Sequence, residues 1–346
     1  MSTNPAPLKV LYIGGTGIIS SACVRRSAAE GMNVYALNRG INAKGRVVPE
    51  GVHSLVADVT DDDALLSAIE GLHFDAVVNF LSFDEADSAR FTRIFTGRTN
   101  QYVHISSASV YRRPILQVPV VESTLLENKF VAYSRDKIDT ENVLLAAYRE
   151  EGFPVTIVRP SHTYDEAHPP LPGDWTVFDR IERGAEIVVP GDGTSLWTVT
   201  HADDLAQGLV GLLGNPKAIG EAFHITSNDV YTWDTIYTMI AEALGVEAKL
   251  IHVPSEFFTV AAPDWFWSEL IVGDLSHSAL FDNSKIRSLV PGFFPTRTFH
   301  RSVIGMVEWR REHPVEAAGD PAVEGFIDRL AEGYHRSREV FASLAP

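Results

Sequence analysis

The sequence predicts an α/β protein with a doubly wound parallel sheet and a second, smaller α/β domain towards the carboxyl end. An apolar run at residues 8–13 stops at a Gly14-Gly15-Thr16-Gly17 turn, and helical spacing follows from Ile18. Apolar runs of strand length then alternate with segments of helix length. A glycine turn between strand and helix is typical of dinucleotide binding, and nearly continuous apolar strands are typical of a parallel sheet covered on both faces. These observations favour a sheet of the Rossmann type.

Each further element is predicted from the length and pattern of its apolar residues. Strands are predicted at residues 33–37, 52–57, 76–80, 101–105 and 155–159, and helices at 18–31, 61–69, 84–96 and 131–150. Residues 162–174, rich in Pro, His and Asp, are predicted to form a long loop beside the strand ends. Helices at 233–244 and 321–341 and a strand at 249–253 are expected beyond it.

This pattern predicts two domains. A dinucleotide-binding domain is expected at residues 8–165, continued by 196–228. A substrate-binding domain is expected to combine residues 166–195 with residues 229–346.

The composition limits the classes of function. With 346 residues, 45% of them hydrophobic, the chain can bury one large core or two joined cores. A formal net charge of −16 argues against binding to nucleic acid, because phosphates are bound by clustered Lys and Arg. The single cysteine, Cys23, excludes an internal disulfide and a cysteine-rich metal site, and no metal is predicted. The first seven residues lack a basic start, and no apolar run reaches the length of a membrane span, so we expect a cytoplasmic protein without membrane contact.

Tyr133 and Lys137, four residues apart on a predicted helix, indicate proton transfer. A phenol with an ordinary pKa of about 10 is a poor base at neutral pH, but an ammonium one helical turn away favours the phenolate. Tyr133 could then accept a proton from an alcohol as hydride leaves the carbinol carbon. Ser107, after the strand at 101–105, is the candidate for holding the same oxygen. These three residues are the predicted catalytic groups.

A cofactor site is predicted around the glycine turn. Small residues there let the backbone approach a pyrophosphate at a helix N-terminus, although Ser20 stands at the third small position, where glycine is usual. Asn38 and Arg39 follow the second strand without an acidic residue for the ribose diol, which favours NADP. The alternative is an NAD enzyme in which Arg39 stacks on the adenine.

The strand ends supply the rest of this site. The predicted cofactor-binding residues are Gly14, Gly15, Thr16, Gly17, Ile18, Ile19, Asn38, Arg39, Asp58, Val59, Asn79, Phe80 and Leu81. Asp58 and Val59 are placed to meet the adenine, and residues 79–81 lie beside the phosphate turn. For Asp58, the capping of a helix is the alternative interpretation.

With these residues assembled, the chain resembles the extended short-chain dehydrogenase/reductase family, which contains sugar-nucleotide epimerases and dehydratases. Within that family it is similar to the chloroplast stem-loop-binding group. The resemblance covers most of the chain and includes Arg159-Pro160-Ser161 and the segment 201–206 besides the motifs above. It implies a homodimer formed through the helices at 84–96 and 131–150.

The resemblance also implies roles for single residues. Tyr133 and Lys137 would contact the cofactor, with Lys137 on the nicotinamide ribose. Ser106, Pro160 and His162 would lie beside the nicotinamide, and His162 would also touch the substrate. The candidate substrate-binding residues are Ser82, Ser109, His162, Trp175 and Trp197.

Three departures from the family pattern narrow the function. Ala108-Ser109 stands where family dehydratases carry an Asp-Glu pair, which argues against a 4,6-dehydratase. Trp197 stands where sugar-nucleotide enzymes usually place a diphosphate-binding arginine; its indole could stack on a sugar or fill the core. Arg180 or Lys285 could replace that arginine. Asp165 follows Tyr164 where a glycine is common, so a different loop geometry is expected there.

The predicted function is therefore that of an NAD(P)-dependent oxidoreductase or epimerase. It would transfer hydride to or from a hydroxyl or ketone of a sugar or similar polyol. A nucleotide-sugar 4-epimerase is one alternative. The alternative from another class is an RNA-binding protein on a dehydrogenase fold, against which the intact Tyr133/Lys137 pair and the acidity both count.

Overall fold

The computed structural model describes residues 6–40 and 46–344. Its central sheet contains seven parallel strands, namely β1 (Lys9–Ile13), β2 (Asn33–Asn38), β3 (His53–Val56), β4 (Ala76–Asn79), β5 (Tyr102–Ile105), β6 (Val155–Pro160) and β11 (Ala222–Ile225). Their order across the sheet is β11-β6-β5-β4-β1-β2-β3. The strand order reverses between β1 and β4, and sheets of this kind bind ligands at that point, outside the carboxyl ends of the strands. The predicted doubly wound sheet is confirmed.

Helices cover both faces of the sheet. Successive side chains of β1 point to opposite faces, and because those after Lys9 are all apolar, β1 contributes to the core on both faces. Val10 and Tyr12 point to one face and Leu11 and Ile13 to the other, and all four are fully buried. The covering helices are α1 (Ile18–Ala29), α2 (Asp62–Ala68), α3 (Glu85–Phe95), α4 (Ala132–Glu151), α6 (Ala202–Leu212) and α10 (Ser284–Leu289).

A separate apolar core lies in the carboxyl-terminal half. There β8 (Glu186–Pro190) pairs in parallel with β13 (Lys249–Val253), and the short strands β9 (Leu196–Trp197) and β12 (Tyr231–Thr232) pair antiparallel. Helices surround them: α5 (Trp175–Glu182), α7 (Trp233–Leu244), α8 (Glu256–Ala261), α9 (Phe266–Leu270), α11 (Phe299–Glu312) and α12 (Pro321–Ala342). Trp197 and Val199 join this core although they fall within the predicted continuation of the first domain. The predicted domain boundaries stay a prediction.

Most predicted elements agree with the structure to within one or two residues. The segment 162–174 differs, because it is not wholly a loop: β7 (His162–Tyr164) pairs in parallel with β10 (Val199–His201). A strand of three residues is too short for periodicity to reveal, and its hydrogen bonds go to a segment far along the chain. This strand fixes the backbone just beyond Pro160.

The sequence also raised expectations about membrane contact, cellular location and oligomeric state. No helix within the described residues is long and apolar enough to cross a membrane. The expectation about the amino terminus falls largely on residues 1–5, outside the described residues. Helices α3 and α4 pack against each other, but the homodimer and the cytoplasmic location stay predictions.

Candidate active site

A cavity of about 1,020 Å³ follows the carboxyl ends of β1 to β6. Most of the predicted site residues line it: Gly14, Thr16, Gly17, Ile18, Ile19, Asn38, Arg39, Asp58, Val59, Phe80, Leu81, Ser106, Ser107, Ser109, Tyr133, Lys137, Pro160, His162 and Trp197. One end holds the glycine turn, and the other holds the Ser107/Tyr133/Lys137 group. The cavity has the size and position expected of a dinucleotide site joined to a substrate site.

Four predicted site residues do not line the cavity. Gly15 packs behind the turn, where a Cβ would lie 3.0 Å from the Ala36 Cβ. The buried Asn79 donates to the Tyr102 hydroxyl at 2.7 Å and accepts from the Leu81 amide at 2.8 Å, so it shapes the chain after β4. Trp175 is buried in the carboxyl-terminal core with its ring stacked on Trp309, 5.7 Å between centroids.

The fourth is Ser82, whose hydroxyl lies 2.9 Å from that of Ser88. Its backbone carbonyl, rather than its side chain, serves the site, because it accepts a hydrogen bond from Lys137. For Asn79 and Ser82 sequence position was misleading because neighbouring residues at a strand end point in opposite directions, whereas Trp175 begins α5 and joins the carboxyl-terminal core.

Ser20 closes the glycine turn. Its hydroxyl donates to the Gly14 carbonyl at 2.5 Å and accepts from the Gly17 amide at 2.8 Å. Gly14 has φ +84°, and a Cβ there would lie 2.9 Å from the Leu81 Cγ. The serine therefore strengthens a turn that directs the first amides of α1 towards the cavity, as an anionic pyrophosphate requires. The site fits a dinucleotide phosphate.

At the ends of β2 and β3, Arg39 is exposed and lines the cavity. Asn38 accepts from the Gly40 amide at 2.8 Å. The Asp58 carboxylate accepts from the Thr60 amide and hydroxyl, and these hydrogen bonds, followed by the charge of Arg39, lower the pKa of Asp58. The alternative reading of Asp58 as a helix cap is wrong, because Asp61 caps α2 through the Ala64 amide. Arg90, which sequence reasoning missed, lines the same side and donates to the Val59 carbonyl at 2.6 Å.

The surroundings of Tyr133 favour the protonated phenol, whereas the spacing to Lys137 favoured the phenolate. Burial raises the pKa of Tyr133 to about 12, and a hydrogen bond with Ser107 opposes this only in part. The Ser107 hydroxyl lies 2.9 Å from that of Ser109. Ser107 and Tyr133 therefore present two hydroxyl groups to one point of the cavity.

Lys137 does not point at the phenol oxygen. Its ammonium lies 5.8 Å from the centre of the Tyr133 ring and donates to the carbonyls of Ser82 at 2.6 Å and Ile105 at 3.0 Å. Burial lowers the pKa of Lys137 to about 8, against the opposing charges of Glu141 and Asp87. The two carbonyls leave one of the three ammonium hydrogens for a ligand.

A buried ion pair, which sequence reasoning missed, lies behind this group. Glu141 accepts from Arg159 through Nε at 2.9 Å and Nη2 at 2.6 Å, and from the Ser106 hydroxyl at 2.5 Å. Glu141 is one helical turn beyond Lys137 on α4, which was the only signal in the sequence. The pair ties the helix that carries Tyr133 and Lys137 to β6 and to the end of β5.

Aromatic rings form the substrate end of the cavity. Trp267 of α9 stacks on His162 with 5.5 Å between ring centroids, and Phe266 meets Tyr133 edge-on at 6.5 Å. Burial lowers the pKa of His162 to about 3, so this ring is neutral. Trp197 stacks on Trp233 and so fills the core, which is one of its two predicted roles. It also lines the cavity, but its stacking on a sugar stays a prediction. The aromatic-rich segment of α8 and α9 was the signal in the sequence.

A π-helix at Ile271–Leu275 borders the same end. Arg113 donates to Asp274 through Nε at 2.9 Å, and the Asn128 amide donates to the carbonyls of Gly273 at 3.1 Å and Ser109 at 2.9 Å. π-Helical turns often occur at functional sites. These contacts join the serine segment to the wall that faces it.

Neither residue considered as a replacement for the diphosphate arginine reaches the cavity. Arg180 is buried against Glu324, Asp328 and the Glu186 carbonyl. Lys285 pairs with Glu221 at 2.7 Å. Within residues 6–40 and 46–344, no group of three metal-binding side chains is found.

A Rossmann cleft that leads from a glycine turn to a tyrosine, a lysine and a serine defines an NAD(P)-dependent enzyme of the extended short-chain dehydrogenase/reductase class. The model of the NAD dependent epimerase/dehydratase family matches residues 10–226, and this chain belongs to that family. The predicted family resemblance is confirmed.

Relatives and solved structures agree with this assignment. The 2'-dehydrokanamycin reductase of Streptomyces kanamyceticus is 27% identical over 289 residues, 83% of this chain and 80% of the relative. The chloroplast stem-loop binding protein of 41 kDa b from Arabidopsis thaliana is 28% identical over 262 residues, 72% of this chain and 67% of the relative. The UDP-glucuronic acid 4-epimerase of Bacillus cereus, solved with UDP-glucuronic acid and NAD, has the same fold with a TM-score of 0.71 at 18% identity, covering 88% of this chain and 100% of that one.

Proposed function

We propose that this protein is an NAD(P)-dependent oxidoreductase that interconverts a hydroxyl and a ketone on a sugar or similar polyol. The observation that carries the proposal is the Tyr133–Ser107 hydroxyl pair, which opens into the same cavity as the glycine turn. The NADP preference, the substrate class and the direction of the reaction are parts of this proposal.

The raised pKa of Tyr133 suits carbonyl reduction, in which the phenol donates its proton. A nicotinamide cofactor supplies the hydride to the carbonyl carbon when it is bound. Ser107 donates a hydrogen bond to the substrate oxygen, and Tyr133 transfers its proton to that oxygen as negative charge develops there. Lys137 stabilises the resulting tyrosinate from a distance and binds a ribose hydroxyl with its remaining hydrogen. In the oxidising direction the same groups act in reverse.

The relative named for the reduction of 2'-dehydrokanamycin supports carbonyl reduction. The aromatic walls support a substrate with apolar ring faces, because sugars present such faces to Trp and Phe. Incubation of the protein with each cofactor and a panel of ketosugars, free sugars and glycosides tests the proposal. Net consumption of NADPH or NADH supports a reductase. Substrate conversion without a net change of the cofactor would instead establish an epimerase, and absence of any cofactor binding would refute both.

Arg39 is expected to select the cofactor. In the Arg39→Asp variant the ratio of NADP affinity to NAD affinity should fall at least tenfold, because a carboxylate repels a 2'-phosphate and binds a ribose diol. Dissociation constants of both cofactors for the wild type and the variant measure this. Arg98, whose side chain bonds the Ile94 carbonyl away from the cavity, provides the control as Arg98→Asp. An unchanged ratio in Arg39→Asp would remove Arg39 from cofactor recognition.

Nucleotide diphosphate sugars are expected to bind poorly. The substrate end has Trp197 where a diphosphate needs charge-assisted donors, and unpaired phosphate oxygens lose affinity on desolvation. Titration of UDP, GDP and dTDP into the cofactor-bound protein should give dissociation constants in the millimolar range or weaker. Micromolar binding of any of them would favour a nucleotide-sugar 4-epimerase.

RNA binding is a second candidate function, because one relative is named for stem-loop binding. The acidity of the chain and the Tyr133–Ser107 pair favour the enzyme. Titration of a labelled RNA hairpin at 50 and 200 mM salt separates the enzyme from the RNA-binding protein. Binding at 50 mM salt that weakens steeply at 200 mM salt would favour the RNA-binding protein, since binding to phosphates depends steeply on salt.

A further inference from the structure

Arg46 and Asp165 form an ion pair between two segments that are 119 positions apart in the chain. Arg46 lies in the connection from β2 to β3, whereas Asp165 directly follows β7. Strand β7 leaves the carboxyl end of β6 and packs against α1, the helix that follows β1. The pair therefore joins the segment after β2 to the segment after β6 beside α1, and both segments contribute to the wall of the cavity, through Arg46 and Thr163.

The pair is well formed. Arg46 donates to the carboxylate through Nε at 2.9 Å and through Nη2 at 2.7 and 2.9 Å, and the two side chains are only 11% and 12% exposed. The same carboxylate accepts from the Ala167 amide at 3.1 Å, which fixes its position. Bidentate pairs of low exposure are stronger and more directional than surface pairs. This pair also gives a structural reason for an aspartate directly after Tyr164.

Arg46 faces the cofactor end of the cavity. It lines the same cavity as Gly17, Ile18 and Ile19 at the start of α1, and Thr163 of β7 lines it too. Arg46 therefore borders the cavity into which the N-terminus of α1 directs its amides, as a pyrophosphate requires. Arg46 and the phosphate turn line one cavity, and Asp165 holds Arg46 from behind.

We propose that Arg46 and Asp165 are cofactor-retention residues, whose ion pair bridges the dinucleotide cleft and must break before the cofactor leaves. This inference rests on the proposed function, because it presumes that the cleft binds NAD(P). Asp165 positions Arg46, and Arg46 supplies the bridge. Breaking the bridge should speed release with little effect on the chemistry at Tyr133, which lies at the other end of the cavity.

Cofactor release can be measured directly. The protein is loaded with NADPH or NADH, whichever binds more tightly, mixed with an excess of the oxidised form, and followed by the loss of bound-cofactor fluorescence. Asp165→Asn and Arg46→Gln should each raise the dissociation rate by about tenfold or more, the effect of losing about 1.4 kcal/mol of interaction. Arg46→Lys, which keeps the charge but loses the bidentate geometry, should give an intermediate rate. Arg310→Gln breaks an ion pair with Asp179 remote from the cavity and should leave the rate unchanged.

The outcomes separate the two proposals. Unchanged release from Asp165→Asn, with the thermal midpoint of the wild type, overturns the bridge. Faster release from Arg46→Gln alone also overturns it, because Arg46 would then be a direct phosphate ligand. If wild-type protein binds neither dinucleotide, the proposed function fails as well; if it binds one and the variants release it at the wild-type rate, only the bridge fails.

Discussion

Replacing Tyr133 with phenylalanine is expected to lower turnover by about 10²–10⁴ and to leave the cofactor dissociation constant unchanged. The change removes one hydroxyl, which is the proposed proton donor next to Ser107, and general acid–base catalysis contributes a factor of this size. The ring itself and its edge-on contact with Phe266 remain. Steady-state kinetics with the best substrate of the panel, together with cofactor titration, measures both quantities.

Two further variants make this result specific. Tyr148→Phe changes a partly exposed tyrosine near the other end of the same helix and should retain full turnover. Lys137→Ala should impair both turnover and cofactor affinity, because in the proposed mechanism Lys137 stabilises the tyrosinate and binds the ribose. A Tyr133→Phe enzyme with near wild-type turnover would remove Tyr133 from the mechanism.

Replacing Glu141 with leucine is expected to lower the free energy of unfolding by about 3–5 kcal/mol. The Glu141 side chain is fully buried and that of Arg159 is 4% exposed, so the variant leaves an arginine charge without its partner in a site closed to water. Urea denaturation of the wild type and variant, followed by circular dichroism, measures the loss.

Matched variants test the cause. Glu332→Leu removes a pair with Arg336 in which both side chains are well exposed, and it should change stability by less than about 1 kcal/mol. The double variant Glu141→Leu/Arg159→Met should recover part of the loss, because no unpaired charge remains. A Glu141→Leu protein as stable as the wild type would show that Arg159 reaches water or another anion when Glu141 is absent.

The elements that sequence patterns predicted well are those whose signal is local. The apolar run of β1, the glycine turn and the helix-length segment of α4 each depend on residues close in the chain, and the structure confirms the sheet that they predict. The i, i+4 spacing of Tyr133 and Lys137 likewise places both on one face of α4. β7 was missed because three residues carry no period and its partner, β10, lies far along the chain.

The positions of the site residues, too, were predicted correctly only where the signal in the sequence is local. Of the residues at the strand ends, Phe80 and Leu81 reach the cavity but Asn79 and Ser82 do not, because side-chain direction depends on how the chain turns after the strand. The aromatic rings of α9 were not predicted to line the site, because their contact with His162 spans two parts of the chain.

The sequence by itself determined the parallel sheet, the glycine turn and the Ser107/Tyr133/Lys137 group, because each follows from spacing along the backbone. Only the tertiary structure decided the direction in which the pKa of Tyr133 is shifted, since burial raises it while Lys137 donates to two backbone carbonyls. It alone also decided the partners Glu141–Arg159 and Arg46–Asp165, the second of which joins residues more than a hundred positions apart. The physical reason is that desolvation and charge pairing depend on distance in space, which a linear pattern does not encode.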